Sequence, residues 1–108
     1  MQKKYEKAIS VFQRIIDKYP NTIEAYYNLG NSYFRINKWN EARDAYEAAC
    51  ELDPTFLDAM ENLGVIYANQ KEFHRAIDIW GKILEYDPKR VDLKKNIEKA
   101  VKLKAGQK

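Results

Sequence analysis

Apolar residues recur three and four positions apart along nearly the whole chain, and prolines cut the pattern into blocks. Tyr5, Ala8, Ile9, Phe12, Ile15, Ile16 and Tyr19 have this spacing, so residues 3–19 are predicted to form an amphipathic helix. Pro20 and Asn21 end it, and Thr22 is placed to cap a second helix. That helix, predicted over residues 22–36, carries Tyr26, Leu29, Gly30 and Tyr33 on one stripe. Asn37 interrupts before a helix over 38–52 that turns Trp39, Ala42, Ala45, Tyr46 and Ala49 inward. Asp53 and Pro54 stop it, because proline lacks the N–H and drives its predecessor out of the α region. The pattern then returns over 56–69 (Met60, Leu63, Gly64, Tyr67) and 72–86 (Phe73, Ala76, Ile77, Trp80, Ile83, Leu84). A last helix over 89–104 places Leu93, Ile97, Ala100 and Val101 on one face, and the end beyond Gly106 is expected to fray. No segment alternates with the period of a strand, so an all-α fold is expected.

The blocks repeat. Pro20, Pro54 and Pro88 stand 34 residues apart, and residues 23–56 align with 57–90 at ten identical positions. These include Leu29/Leu63, Gly30/Gly64, Tyr33/Tyr67, Ala42/Ala76, Asp53/Asp87 and Pro54/Pro88. A fixed period of this length implies stacked helical hairpins. Gly30 and Gly64 are expected to let the partner helix approach closely, with Ala42 and Ala76 as the small residues opposite. The aromatics Tyr33, Tyr46, Tyr67 and Trp80 are expected to fill the space between hairpins. All of these are packing positions, which leaves the non-recurring residues to carry specificity.

The residues Tyr26-x2-Leu29-Gly30-x2-Tyr33, Ala42-x3-Tyr46 and Pro54, with their counterparts Met60, Leu63, Gly64, Tyr67, Ala76, Trp80 and Pro88, resemble the tetratricopeptide repeat. The resemblance implies one domain over 1–108: a B helix at 3–19, repeats at 23–56 and 57–90, and a capping helix at 91–104 where Lys94 and Glu98 replace the aromatic and the glycine. It implies a right-handed α-α superhelix, a solenoid of antiparallel hairpins whose A helices line a concave groove. The groove residues would then be Glu24, Tyr27, Asn28, Asn31, Phe34 and Arg35 from the first full repeat. Asp58, Glu61, Asn62, Val65, Ala68 and Asn69 would come from the second, and Lys95, Asn96 and Lys99 from the last helix. Asparagine amides donate and accept at once, which suits the main chain of an extended peptide. Asn31 and Asn62 are expected to be exposed and replaceable without loss of stability. Asn28, Asn31 and Asn62 are also ordinary residues at these positions in the family. Some members clamp a chaperone's terminal carboxylate with lysines and asparagines. Here Asn31 and Asn62 fit that pattern, but Tyr27, Asp92 and Asn96 stand where basic residues are expected, so such a clamp is not anticipated. With no preceding A helix, some of Tyr5, Ile9, Phe12 and Ile16 are expected to be exposed.

Composition narrows the function classes. With 45% hydrophobic and 32% charged residues, the chain falls in the globular class. No apolar run approaches the roughly 18 residues a membrane span needs, and the charged start MQKKYEKAIS does not read as a signal peptide, which favours the cytoplasm. One cysteine, Cys50, excludes an intramolecular disulfide and is read as a small buried hydrophobe; the single histidine, His74, is read as solvated. No catalytic arrangement, phosphate loop, cofactor motif or metal spacing occurs, so no enzyme is expected. The net charge of +3 divides unevenly: residues 88–108 hold eight Lys/Arg against two Asp/Glu, and residues 1–87 eleven against fourteen. The basic end reads as a solubilising cap, with an anionic membrane surface as the other reading. Aromatics are not interleaved there, which argues against nucleic acid. The expected function is a non-catalytic interaction scaffold binding a protein or peptide. The alternatives are homo-oligomerisation through terminal helices, and an accessory module of a larger enzyme.

Overall fold

The computed structural model describes residues 2–107 and contains six helices, with no strand among them. They are α1 (Gln2–Lys18), α2 (Ile23–Arg35), α3 (Trp39–Leu52), α4 (Leu57–Asn69), α5 (Phe73–Tyr86) and α6 (Asp92–Ala105). The all-α reading is therefore correct. Two compact units make up the molecule, Met1–Ala59 and Met60–Lys108, and the division falls inside α4.

In the first unit, α2 packs against both α1 and α3. Its core joins Ile9, Leu29 and Ala45, with Phe12, Ile16, Tyr33 and Ile36 packed against them. This corrects the expectation of an exposed α1 stripe: Tyr5, Phe12 and Ile16 are half-buried and Ile9 is buried. The face that includes Ile9 and Phe12 turns toward α2, the next helix in the chain, so it does not depend on one that precedes. The large apolar residues that α1 and its end leave outside are Val11 and Tyr19, and Tyr19 lies beyond the helix end.

The glycines let a side chain of the partner helix come close. A Cβ on Gly30 would lie 2.7 Å from the Tyr46 ring, and one on Gly64 would lie 2.2 Å from Trp80 Nε1. The space each glycine leaves is filled by the large aromatic of the next helix. Tyr46 and Trp80 are both buried against the glycine of their own hairpin, and Trp80 also faces α6.

The turns repeat as closely as the helices. Asn37 and Lys71, 34 positions apart, have φ of 61° and 62°. Each comes after an A helix and closes it with a bond five residues back: Lys38 N–H donates to Tyr33 O (3.0 Å) and Glu72 N–H to Tyr67 O (2.8 Å). This is the left-handed helix stop that satisfies otherwise orphaned carbonyls. After the B helices, Asp53 accepts from Thr55 N–H at 3.0 Å and Asp87 from Lys89 N–H at 3.2 Å. A side chain that caps its own turn explains why aspartate precedes both prolines. The Asp87 turn also occupies residues 88–90, so α6 starts at Asp92 rather than at 89. Thr22 stands at the N-cap of α2, but its hydroxyl makes no capping bond; its carbonyl accepts from Ala25 N–H at 3.1 Å. At the far end Gln107 Nε2 donates to Lys71 O at 3.1 Å.

Candidate functional site

The sequence-predicted groove residues fall in two sets, one in each unit. In the first unit Glu24, Asn28 and Arg35 lie on α2 with Tyr27, Asn31 and Phe34, and the last three are half-buried. Tyr27 stacks on Phe56 with ring centroids 4.7 Å apart, and Phe34 meets Trp39 edge-on at 5.1 Å. Both aromatics therefore spend one face on the fold and leave part of their surface outward. Asn31 Oδ1 accepts from the Tyr46 hydroxyl. That bond corrects the expectation that Asn31 is exposed and replaceable, because its amide serves a fully buried phenol. Asn62, in the second unit, is half-buried too. Asp58 lies near the start of α4, in the first unit.

The same positions are solved with different chemistry in the second unit. Glu61 takes the place of Tyr27, and Arg90 that of Phe56. Arg90 Nη1 lies 3.1 Å from Glu61 Oε1, and Arg90 Nε lies 3.2 Å from Asp87 Oδ2. An aromatic stack in one repeat is an ion pair in the next. Val65 takes the place of Asn31, and Trp80 that of Tyr46. Having no hydroxyl, Trp80 needs no amide there, and its Nε1–H donates to Glu61 O at 3.3 Å. Glu61, read from sequence as a groove residue, is thereby committed to the turn before α6.

Five further groove positions converge. Val65, Ala68 and Asn69 of α4 face Asn96 and Lys99 of α6 across an open cavity of about 220 Å³. Phe73, Trp80, Ala100 and Leu103 complete its walls. The floor is apolar and aromatic; the rim carries two amides and one ammonium. Lys95 lies outside the lining but one turn before Lys99, exposed on the same face of α6. Family resemblance pointed to this face; it could not reveal that α5 lends Phe73 and Trp80 to its floor.

Other reactive groups do not form a second site. His74 is exposed, with Nε2 3.3 Å from Asp78 Oδ2 and Nδ1 3.4 Å from Lys104 Nζ. Cys50 is half-buried, and burial, with Asp53 and Glu47 adding to it, pushes its thiol up to about 11. A thiol so raised is protonated at neutral pH and a poor nucleophile. Burial, helped by Glu41, also raises the Tyr33 phenol, which accepts from Gln13 Nε2 at 3.0 Å. Among the described residues no three His, Cys, Asp or Glu side chains are grouped to hold a metal, and no helix is long and apolar enough to cross a membrane.

Paired antiparallel helices recurring every 34 residues, with a glycine under Tyr46 in one pair and under Trp80 in the next, define a helical-repeat protein. Comparison with known families agrees: the TPR repeat matches residues 30–71, another tetratricopeptide repeat 58–90, and anaphase-promoting complex, cyclosome, subunit 3 residues 1–49. The chain belongs to the tetratricopeptide-repeat family. Among solved structures it is similar to MamA, at 28% identity and TM-score 0.89 over 94% of this chain and 55% of that one. A second MamA structure matches at 26% identity and TM-score 0.79, over 94% of this chain and 65% of that one. The first TPR of Spaghetti (RPAP3), bound to the HSP90 peptide SRMEEVD, matches at 22% identity and TM-score 0.89, over 97% of this chain and 83% of that one. At that identity the likeness speaks to the fold alone. The chain thus spans little more than half to two thirds of the MamA chains it resembles. No curated protein matches it significantly.

Proposed function

We infer that this segment is a non-catalytic protein-interaction module that holds an extended peptide on its A-helix faces. The cavity framed by Val65, Ala68, Asn69, Asn96 and Lys99 carries the reading: an apolar floor for a side chain, rimmed by groups that bond a main chain. Membership of a repeat family used for protein interaction supports it, as does the peptide carried by one structural neighbour. That neighbour's ligand does not transfer directly. Tyr27, where a carboxylate-clamping lysine would be needed, is stacked on Phe56.

The test is selection of random displayed peptides on the immobilised folded chain. A recurrent peptide class is expected to emerge, and Asn69→Ala combined with Lys99→Glu is expected to weaken it while the far-UV spectrum and melting temperature hold. Asn69 and Lys99 serve better than Asn31 here, because both are exposed and Asn31 is bonded to the buried Tyr46. If no peptide is enriched, or the double variant binds as well as the parent, the reading fails.

Self-association is the second reading. The exposed apolar residues Val91, Val101 and Leu103, 59%, 49% and 47% accessible, favour it. Sedimentation across a wide concentration range decides it, and a monomer throughout excludes it.

A further inference from the structure

The α4–α6 cavity has a chemical bias, and it rests on the reading of the segment as a peptide-binding module. Its floor offers Trp80 and Phe73, whose rings fit a branched aliphatic side chain. Every polar group on its rim can donate, and the only charge among its lining residues is the ammonium of Lys99. Lys95 and Lys102 stand four residues before and three after Lys99, so the three ammonium groups line one side of α6, all exposed. On α6 two carboxylates, Asp92 and Glu98, stand against five lysines. Glu61, the nearest acidic side chain on α4, is drawn away to Arg90. The free charge beside the cavity is therefore positive.

We propose that the cavity takes a single large aliphatic side chain from an acidic peptide segment, whose flanking carboxylates lie along Lys95, Lys99 and Lys102. The two parts contribute unequally. Exposed ion pairs change affinity by a factor of only about two to five each. Burying a leucine side chain is worth roughly ten- to a hundredfold. The aliphatic side chain sets affinity, while the lysines choose among partners and speed encounter.

The probes are three fluorescent heptapeptides with a central residue flanked by charged pairs. The first has leucine between glutamates, the second replaces leucine by serine, and the third replaces the glutamates by lysines. Fluorescence anisotropy with the whole chain is expected to show saturable binding of the first, with the other two at least about tenfold weaker. Lys99→Glu, an exposed change, and Ala68→Phe, which fills the cavity, are each expected to weaken the first peptide several-fold. Circular dichroism on each variant checks that the fold is kept. Added salt is expected to weaken binding, since exposed charges are screened. The proposal is overturned if the leucine peptide does not saturate by about 1 mM (a ceiling near 4 kcal/mol). It is equally overturned if the lysine peptide binds as well, or if Ala68→Phe has no effect in a folded chain. Binding to phosphatidylserine vesicles that Ala68→Phe leaves intact, with no binding of the leucine peptide, assigns the lysines to lipid and also overturns it. Displayed peptides that bind regardless of Lys99 and Ala68 sink this inference and leave the wider reading standing; no peptide binding of any kind sinks both.

Discussion

Glycine has opposite meanings at three helical positions of this chain, and the difference is the space over each Cα. Gly81 lies inside α5 with nothing within 4 Å of where a Cβ would stand. Gly81→Ala should therefore stabilise the protein by about 0.5–1 kcal/mol through helix propensity alone. At Gly30 and Gly64 the same gain is set against a ring already in the way, at 2.7 and 2.2 Å. Neither ring is a loose end: Tyr46 is fully buried and bonded to Asn31, and Trp80 is bonded to the Glu61 carbonyl. Overpacking of this kind costs roughly 1–3 kcal/mol, more than the propensity returns. Gly30→Ala and Gly64→Ala should both destabilise in urea titrations, Gly64→Ala the more strongly. Equal stabilisation at all three positions would show that the rings yield freely. Cys50 gives a second residue-scale expectation. Its thiol is raised from 9.0 to about 11, so between those values the unfolded chain loses a proton that the folded chain keeps. The stabilisation is whole below pH 9 and falls away as pH climbs toward 11. Cys50→Ala should make alkaline unfolding less steep, and thiol alkylation of the native chain near pH 8 should be roughly a hundredfold slower than of the unfolded chain.

At the scale of elements, each A helix ends on a residue held at positive φ, Asn37 in one repeat and Lys71 in the other. Asparagine visits this region readily, whereas lysine carries a full Cβ penalty there of about 1 kcal/mol. Lys71→Gly should raise stability by some fraction of that amount, because glycine also frees the unfolded chain. Asn37→Gly should change little. Thermal melts of the two variants compare them directly, and a loss at Lys71→Gly would mean that its side chain has an unseen packing role. These stops bear on what was legible in the sequence. Helix number and order came from the spacing of apolar residues and from three prolines, because burial of one face sets the period. Boundaries shifted where local bonds intervene, as at the Asp87 turn that delays α6 to Asp92. The candidate site was half legible. Family resemblance put Val65, Asn69 and Lys99 on one surface, and they do line one cavity. It could not tell that Asn31 is tied to Tyr46 or that Glu61 belongs to Arg90, since both pairings join residues far apart in sequence. The repeat contains a clue all the same. Where tyrosine becomes tryptophan, asparagine becomes valine, and where one aromatic becomes glutamate its partner becomes arginine.

For the whole molecule, the glycine–aromatic contacts set where strain can travel. Gly30 with Tyr46 lies inside one compact unit, and Gly64 with Trp80 inside the other. In a helical array each repeat has its own stability plus a nearest-neighbour contribution, so damage to one need not reach all amides equally. Local opening then has its own free energy, below that of global unfolding. A valine at either glycine adds two further carbons to the clash and should exceed the cost of alanine. Gly64→Val should therefore lower hydrogen-exchange protection most in α5 and α6, where Trp80 and the helix packed against it lie. Gly30→Val should do the reverse, exposing α1 and α3, which both pack on α2. Native-state exchange in low denaturant separates the outcomes. Polarised loss means that the two units open separately, and a ligand on the α4–α6 face would then protect α5 and α6 before α1. Uniform loss from either variant would mean that the six helices open as one block, and that any ligand on α6 is felt at once by α1.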